Sequence, residues 1–140
     1  MRAPTLALML TVAGLALSAP AFAEGNPEKG EAVFRSKCRS CHQIGETARN
    51  GVGPVQNGIV GRAAGTVAGF AYSPLNKAAG EAGLTWTPEN ITAYLPDPNT
   101  FLRTFITGKG GTVPAGVTKM TYRLNNAQEI ADVIAYLAKN

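Results

Sequence analysis

Apolar residues along this chain recur at spacings of three and four, and no stretch sustains the strict alternation of a half-buried strand, so the pattern predicts an all-α fold. Ile130, Val133, Ile134 and Leu137 form one such series near the C-terminus. Phe101, Leu102, Phe105 and Ile106 form another, and Ile91, Tyr94 and Leu95 a shorter third. Helix starts are legible because proline repeatedly takes the first helical position behind a residue able to cap. Asn26-Pro27 opens a segment to about Lys37, with Val33, Phe34 and Cys38 on its inner side. Ser73-Pro74 opens a short helix through Ala79, closed by Gly80. Thr87-Pro88 opens one stopped by Pro96, Asp97-Pro98 opens the next, and Asn126 caps the last. About five helices are expected.

The segments between them are long and rich in glycine. Residues 43–69 hold seven glycines and residues 107–118 hold four. Loops of that length are uncommon in a compact domain unless they wrap something. Neither run contains the GxxxxGK[ST] pattern of a phosphate-binding loop, and no internal repeat is evident.

The first 23 residues follow a different pattern. Arg2 precedes an apolar run from Leu6 to Leu17, interrupted only by Thr11, and Ala21-Phe22-Ala23 is a small-x-small cleavage site. The segment reads as a cleaved secretory signal, which implies export to the periplasm; an uncleaved anchor is the alternative. The apolar run is short for a bilayer span, which takes about 20 residues, so no stable membrane anchor is expected. Residues 24–140 then make a single domain, expected to be monomeric. The whole chain has 13 Lys and Arg against 9 Asp and Glu. No basic tract or DNA-binding pattern is present, so nucleic-acid binding is not implied.

The chemistry is concentrated in Cys38-Arg39-Ser40-Cys41-His42, whose histidine is the chain's only one. CxxCH is the attachment motif of c-type haem. In a helical turn, positions i, i+3 and i+4 share a face. Both thiols can then bond one haem c while the imidazole reaches its iron. The competing readings are a redox CxxC or a structural zinc site. The first lacks a preceding buried strand, and the second needs four Cys or His ligands where the chain has three.

Iron has a second axial position, and with one His a bis-histidine pair is excluded. Met1 and Met9 lie in the signal, leaving Met120 as the thioether of the exported chain. His42 with Met120 would be the ligand pair of electron-transfer cytochromes. The plainer alternative is a Met that only fills the core.

These features together resemble the class I cytochromes c, most closely the c2 type. The matching residues are Gly30, Phe34, Cys38 to His42, Gly53-Pro54, Gly61-Arg62, Phe70-Ala71-Tyr72, Asn76, Trp86, Tyr94-Leu95, Pro98, Thr118-Lys119-Met120, Tyr122 and Ala135-Tyr136-Leu137. The resemblance implies the class I fold, with loops wrapped round one covalent haem. It implies that the Pro54 carbonyl accepts from the far nitrogen of His42. Arg62, Tyr72 and Trp86 would serve the haem propionates, with Trp86 as plain core the alternative. Asn76 and Tyr94 would lie near Met120 around an internal water, and Gly30 would let the first helix approach the last at Tyr136. Val55-Gln56 departs from the family's usual Asn-Leu after Gly-Pro.

The function so implied is a soluble one-electron carrier. Its partners would be a cytochrome bc complex or dehydrogenase on one side and an oxidase or photosynthetic reaction centre on the other. Lys37, Arg39, Lys119 and Arg123 flank the ligand segments and either form a basic docking rim or are scattered solvated charges. The rival function is a haem enzyme of peroxidase-like or ligand-sensing type with a labile Met. The absence of a second His argues against that.

Overall fold

A computed structural model describes residues 24–140. The expected signal segment, 1–23, lies outside the described residues. Five α-helices follow in order: α1 Pro27–Val33, α2 Pro74–Glu81, α3 Pro88–Tyr94, α4 Pro98–Gly108 and α5 Ala127–Leu137. The described residues contain no strand, only an isolated antiparallel bridge between Ala63 and Thr85.

Each helix begins where its capping residue stands. The side chains of Asn26, Ser73, Thr87, Asp97 and Asn126 all accept from a backbone N–H in the first turn of the following helix. Four of the five place proline immediately inside, where its missing N–H costs no helical hydrogen bond.

Two ends differ from the sequence reading. The first helix does not run straight to Lys37. Residues Phe34–Cys38 wind as a π-helical turn, because the Arg39 N–H donates to the Phe34 carbonyl (2.9 Å), one residue further back than in an α-helix. Gly80 does not close α2 either. The helix continues to Glu81, and Gly80 lies inside it because a β-carbon there would sit 2.3 Å from the Ala64 carbonyl oxygen. The turn out of the helix falls at Gly83, whose φ of +88° an L side chain rarely adopts.

The frame is the packing of α1 against α5. Gly30 makes it possible: a β-carbon there would lie 1.9 Å from the Asp132 carbonyl oxygen and 2.8 Å from the Tyr136 β-carbon. Phe34 and Tyr136 then pack with ring centroids 5.6 Å apart. Asp132 ties the two helices electrostatically, accepting from the Asn26 N–H (2.7 Å) and from Gln128 Nε2 (2.9 Å). Lys37 at the end of the π turn reaches both carboxylate oxygens of Glu129, at 2.6 Å each. On the other side, α2 and α4 pack together and α3 bridges to α4 and α5. Leu75, Leu84, Leu102 and Val133 are fully buried between these elements.

Two predictions follow from this frame. Gly30→Ala forces apart two backbones that have no room to yield and should cost about 2–3 kcal/mol, measurable as a lower denaturation midpoint of the haem-loaded protein. The hydrogen bonds from Asn26 and Gln128 hold the Asp132 carboxyl below its ordinary 3.8. A depressed folded pKa means that the stability it contributes is present above the unfolded pKa and lost as pH falls through the folded one. Asp132→Asn should therefore cost about 1.5 kcal/mol at neutral pH. Its stability should converge with that of the wild type as the pH falls through the depressed folded pKa of Asp132, read by denaturant unfolding at each pH.

Candidate haem site

The site begins where the π turn ends. The Cys41 and His42 N–H groups both donate to the Cys38 carbonyl, at 3.0 and 2.9 Å, so Cys38 to His42 form one further helical turn. That turn brings both cysteines and the histidine to the wall of a single cavity. The two cysteines are not joined to each other, and both are half-buried. Burial pushes the Cys38 thiol up to about 11, with the neighbouring Cys41 adding to the rise. Among the described residues no three His, Cys, Asp or Glu side chains gather as a metal-binding cluster.

A tight loop stands behind His42. The Gly53 N–H donates to the Cys41 carbonyl (2.8 Å) and the Gly51 N–H to the Gly53 carbonyl (2.9 Å). The loop backbone lies directly on the imidazole: a β-carbon at Gly53 would fall 2.3 Å from His42 Cε1. Beyond it, the Pro54 carbonyl sits 2.9 Å from His42 Nδ1 and accepts its proton when that nitrogen carries one. Burial holds the imidazole below its ordinary value of 6.5, with the Pro54 bond pulling weakly the other way. His42 is therefore neutral at pH 7, the form that binds a metal.

Met120 reaches the same cavity from the loop between α4 and α5. That loop is tied down at several points. The Thr118 hydroxyl donates to Asn76 Oδ1 (2.8 Å), and Asn76 Oδ1 also accepts from the Ser73 hydroxyl (2.8 Å). The Thr118 N–H donates to Asn99 Oδ1 at the start of α4 (2.9 Å), and the Met120 N–H to the Thr118 hydroxyl (3.3 Å). Further on, the Leu124 N–H donates to the Leu95 carbonyl (2.9 Å). Tyr94 is buried beside this group, and its phenol feels the side chains of Thr118 and Asn76. Burial raises its phenol to about 12, so it remains protonated. Asn76 and Tyr94 thus lie with the Met120 loop, and Thr118, matched in the sequence only as part of a motif, is the residue that joins them.

Arg62, Tyr72 and Trp86 line the cavity as well. Arg62 spends two N–H donors on the Asn57 and Val55 carbonyls, at 2.8 and 3.1 Å, and burial lowers its pKa. The remaining guanidinium donors are available to another acceptor. The Tyr72 hydroxyl accepts from the Val67 N–H (3.2 Å) and retains its own proton to donate. Trp86 crosses Tyr94 edge to face, with centroids 4.7 Å apart. Its backbone N–H donates to the Arg62 carbonyl (2.9 Å), so Arg62 and Trp86 are set by one strap.

The supposed basic rim is only partly free. Lys37 is held by Glu129 and Arg123 by Asp97 (3.2 Å). Lys119 donates to the Ala71 carbonyl, with its ammonium 5.5 Å above the Phe70 ring.

The cavity measures about 490 Å³, is mostly apolar and opens to solvent on one side. At about 24 cal/mol per Å³, an apolar body filling a closed cavity of that volume stabilises a fold by on the order of 10 kcal/mol. That is comparable to the whole stability of a small domain, and the open side lowers it. Apolar walls, two unpaired thiols, a neutral imidazole, a thioether and clustered N–H and O–H donors make a donor set suited to haem: carbon ring, iron and propionates each find a partner of the right chemistry.

The comparisons agree. The sequence profile described as cytochrome c matches residues 27–140. The cytochrome c2 iso-1 of Rhodospirillum centenum is 62% identical over 115 residues, covering 81% of this chain and 95% of that protein. A cytochrome c2 of Rhodopseudomonas palustris is 59% identical over 111 residues, covering 79% and 94%. The solved structure of cytochrome c2 from Rhodospirillum centenum superposes with a TM-score of 0.79 at 55% identity, covering 82% of this chain and 98% of that one. The chain belongs to the cytochrome c family, as a class I c-type cytochrome of the c2 type.

Proposed function

We propose that this chain carries single electrons in the periplasm through a haem c whose iron is held by His42 and Met120. The family fixes the coarser statement: its members are electron-transfer proteins with one covalent haem c, not enzymes. The observation that supports the ligand pair is that the chain's one imidazole and its one described thioether line the same cavity as Cys38 and Cys41.

The bound haem supplies a one-electron couple. Cys38 and Cys41 hold it covalently. The Pro54 carbonyl, 2.9 Å from His42 Nδ1, would hold the proton on that nitrogen and leave Nε2 free to bind a metal. Met120 offers a soft sulfur that favours the ferrous state. Asn76, Thr118 and Tyr94 brace its loop. Arg62, Tyr72 and Trp86 neutralise or hydrogen-bond the propionates, which would otherwise be costly to bury. Were His42 and Met120 both to hold the iron, water and small oxidants would find no ready site.

Residues 1–23 serve as the export signal, and residues 24–140 work as a soluble domain. Among the described residues no helix is long and apolar enough to cross a membrane. Donor and acceptor are drawn from a cytochrome bc complex, a dehydrogenase, an oxidase or a reaction centre. Arg39 and Lys119, beside the ligand segments and exposed, are the cations best placed to meet them.

The ferric protein should show the weak long-wavelength absorption of an iron–sulfur bond, and Met120→Ala should abolish it while haem attachment persists. Its absence from the wild type would remove Met120 as a ligand.

A further inference from the structure

The loop behind His42 contains a third polar group that the ligand arrangement does not use. Gln56 follows Pro54 by two residues in the loop that stands behind the imidazole. It is half-buried, lines the cavity, and its backbone is pinned on both sides. Its N–H donates to the Gln43 carbonyl (2.9 Å), and its carbonyl accepts from the Ile59 N–H (3.0 Å). Its side-chain amide nitrogen is 3.0 Å from the Pro54 carbonyl oxygen and 2.9 Å from His42 Nδ1. With His42 Nδ1 itself 2.9 Å from Pro54, the three atoms form a closed triangle.

The protons decide how that triangle works. An imidazole that binds iron through Nε2 keeps its proton on Nδ1. Nδ1 is then a donor, and so is the Gln56 amide nitrogen. Neither can accept from the other, so both turn their protons to the one oxygen. A carbonyl has two lone pairs and can take both, but the second donor draws electron density the first would otherwise hold. The bond from His42 to Pro54 is weakened, and the positive end of an amide dipole stands beside the ring. Both effects act in one direction. The imidazole becomes a poorer electron donor, and the ferrous state gains over the ferric.

We infer that Gln56 is a positioning residue that raises the reduction potential by sharing the Pro54 carbonyl with His42. The inference rests on the proposed His42 and Met120 ligation. An apolar side chain at this position would leave His42 as the sole donor.

The test is equilibrium redox titration of the haem-loaded protein and two variants. Gln56→Leu removes the second donor. Gln56→Glu keeps the shape but replaces the N–H with an acceptor. In Gln56→Leu the ferrous-to-ferric ratio at a fixed electrode potential should fall about threefold, the scale of one net hydrogen bond. That is ~28 mV, at 59 mV per decade for one electron. Gln56→Glu should fall further. In ¹⁵N-labelled ferrous protein the His42 Nδ1 proton should move downfield in Gln56→Leu as its bond to Pro54 strengthens, which a merely structural role would not produce.

A ratio that is unchanged or raised in Gln56→Leu overturns the inference. If that variant fails to mature, Gln56→Glu decides by the same criterion. The iron–sulfur band is read in every sample. Its persistence beside an unchanged potential sinks the role of Gln56 alone, whereas its absence from the wild type sinks the ligation beneath it.

Discussion

Both proposed iron-binding side chains stand on backbone outside the five α-helices, and that constraint shapes everything else in the molecule. A helix places a side chain by its own hydrogen bonds; a loop must be held by its surroundings. His42 is held by a turn fastened to Cys38 and a loop fastened to Cys41, with the Gly53 backbone flat against the ring. Met120 is held by Thr118, and Thr118 by Asn76 from α2 and Asn99 from α4. The helices serve as anchors for these braces more than as walls. The closest helix contact, α1 on α5 at Gly30, lies at the root of the turn that carries both cysteines.

Polarity is distributed to match. The cavity is mostly apolar, yet its buried polar groups answer one another: Ser73 and Thr118 both donate to Asn76. Among the described residues no buried side-chain nitrogen or oxygen lacks a partner. A satisfied network of this kind is rigid. Rigidity suits an electron carrier, because a ligand sphere that changes little between two oxidation states needs little reorganisation to pass an electron on.

Much of this was legible in the sequence, for identifiable reasons. All five helix starts could be read because capping is a local event between a side chain and an N–H two or three residues away. The CxxCH spacing was legible because one turn of helix suffices to explain it. What stayed hidden depends mostly on distant partners. Gly80 looks like a helix end until Ala64 is seen against it. The π turn depends on which carbonyl the Arg39 N–H reaches. The loss of Lys37 and Arg123 from a free basic rim follows from Glu129 and Asp97, and the Glu129 partner is far away in the chain. Gln56 showed only as a departure from a family pattern; its bearing on His42 appears once Pro54 and the imidazole lie beside it.

The proposed closure of the iron site by two side chains is what would separate a carrier from a protein that binds or transforms small molecules. Exposure of the ferrous haem protein to carbon monoxide at neutral pH tests this most directly. With His42 and Met120 both in place, the absorption spectrum should remain unchanged over minutes. Rapid conversion to a carbon monoxide adduct would show an open coordination position and contradict the account.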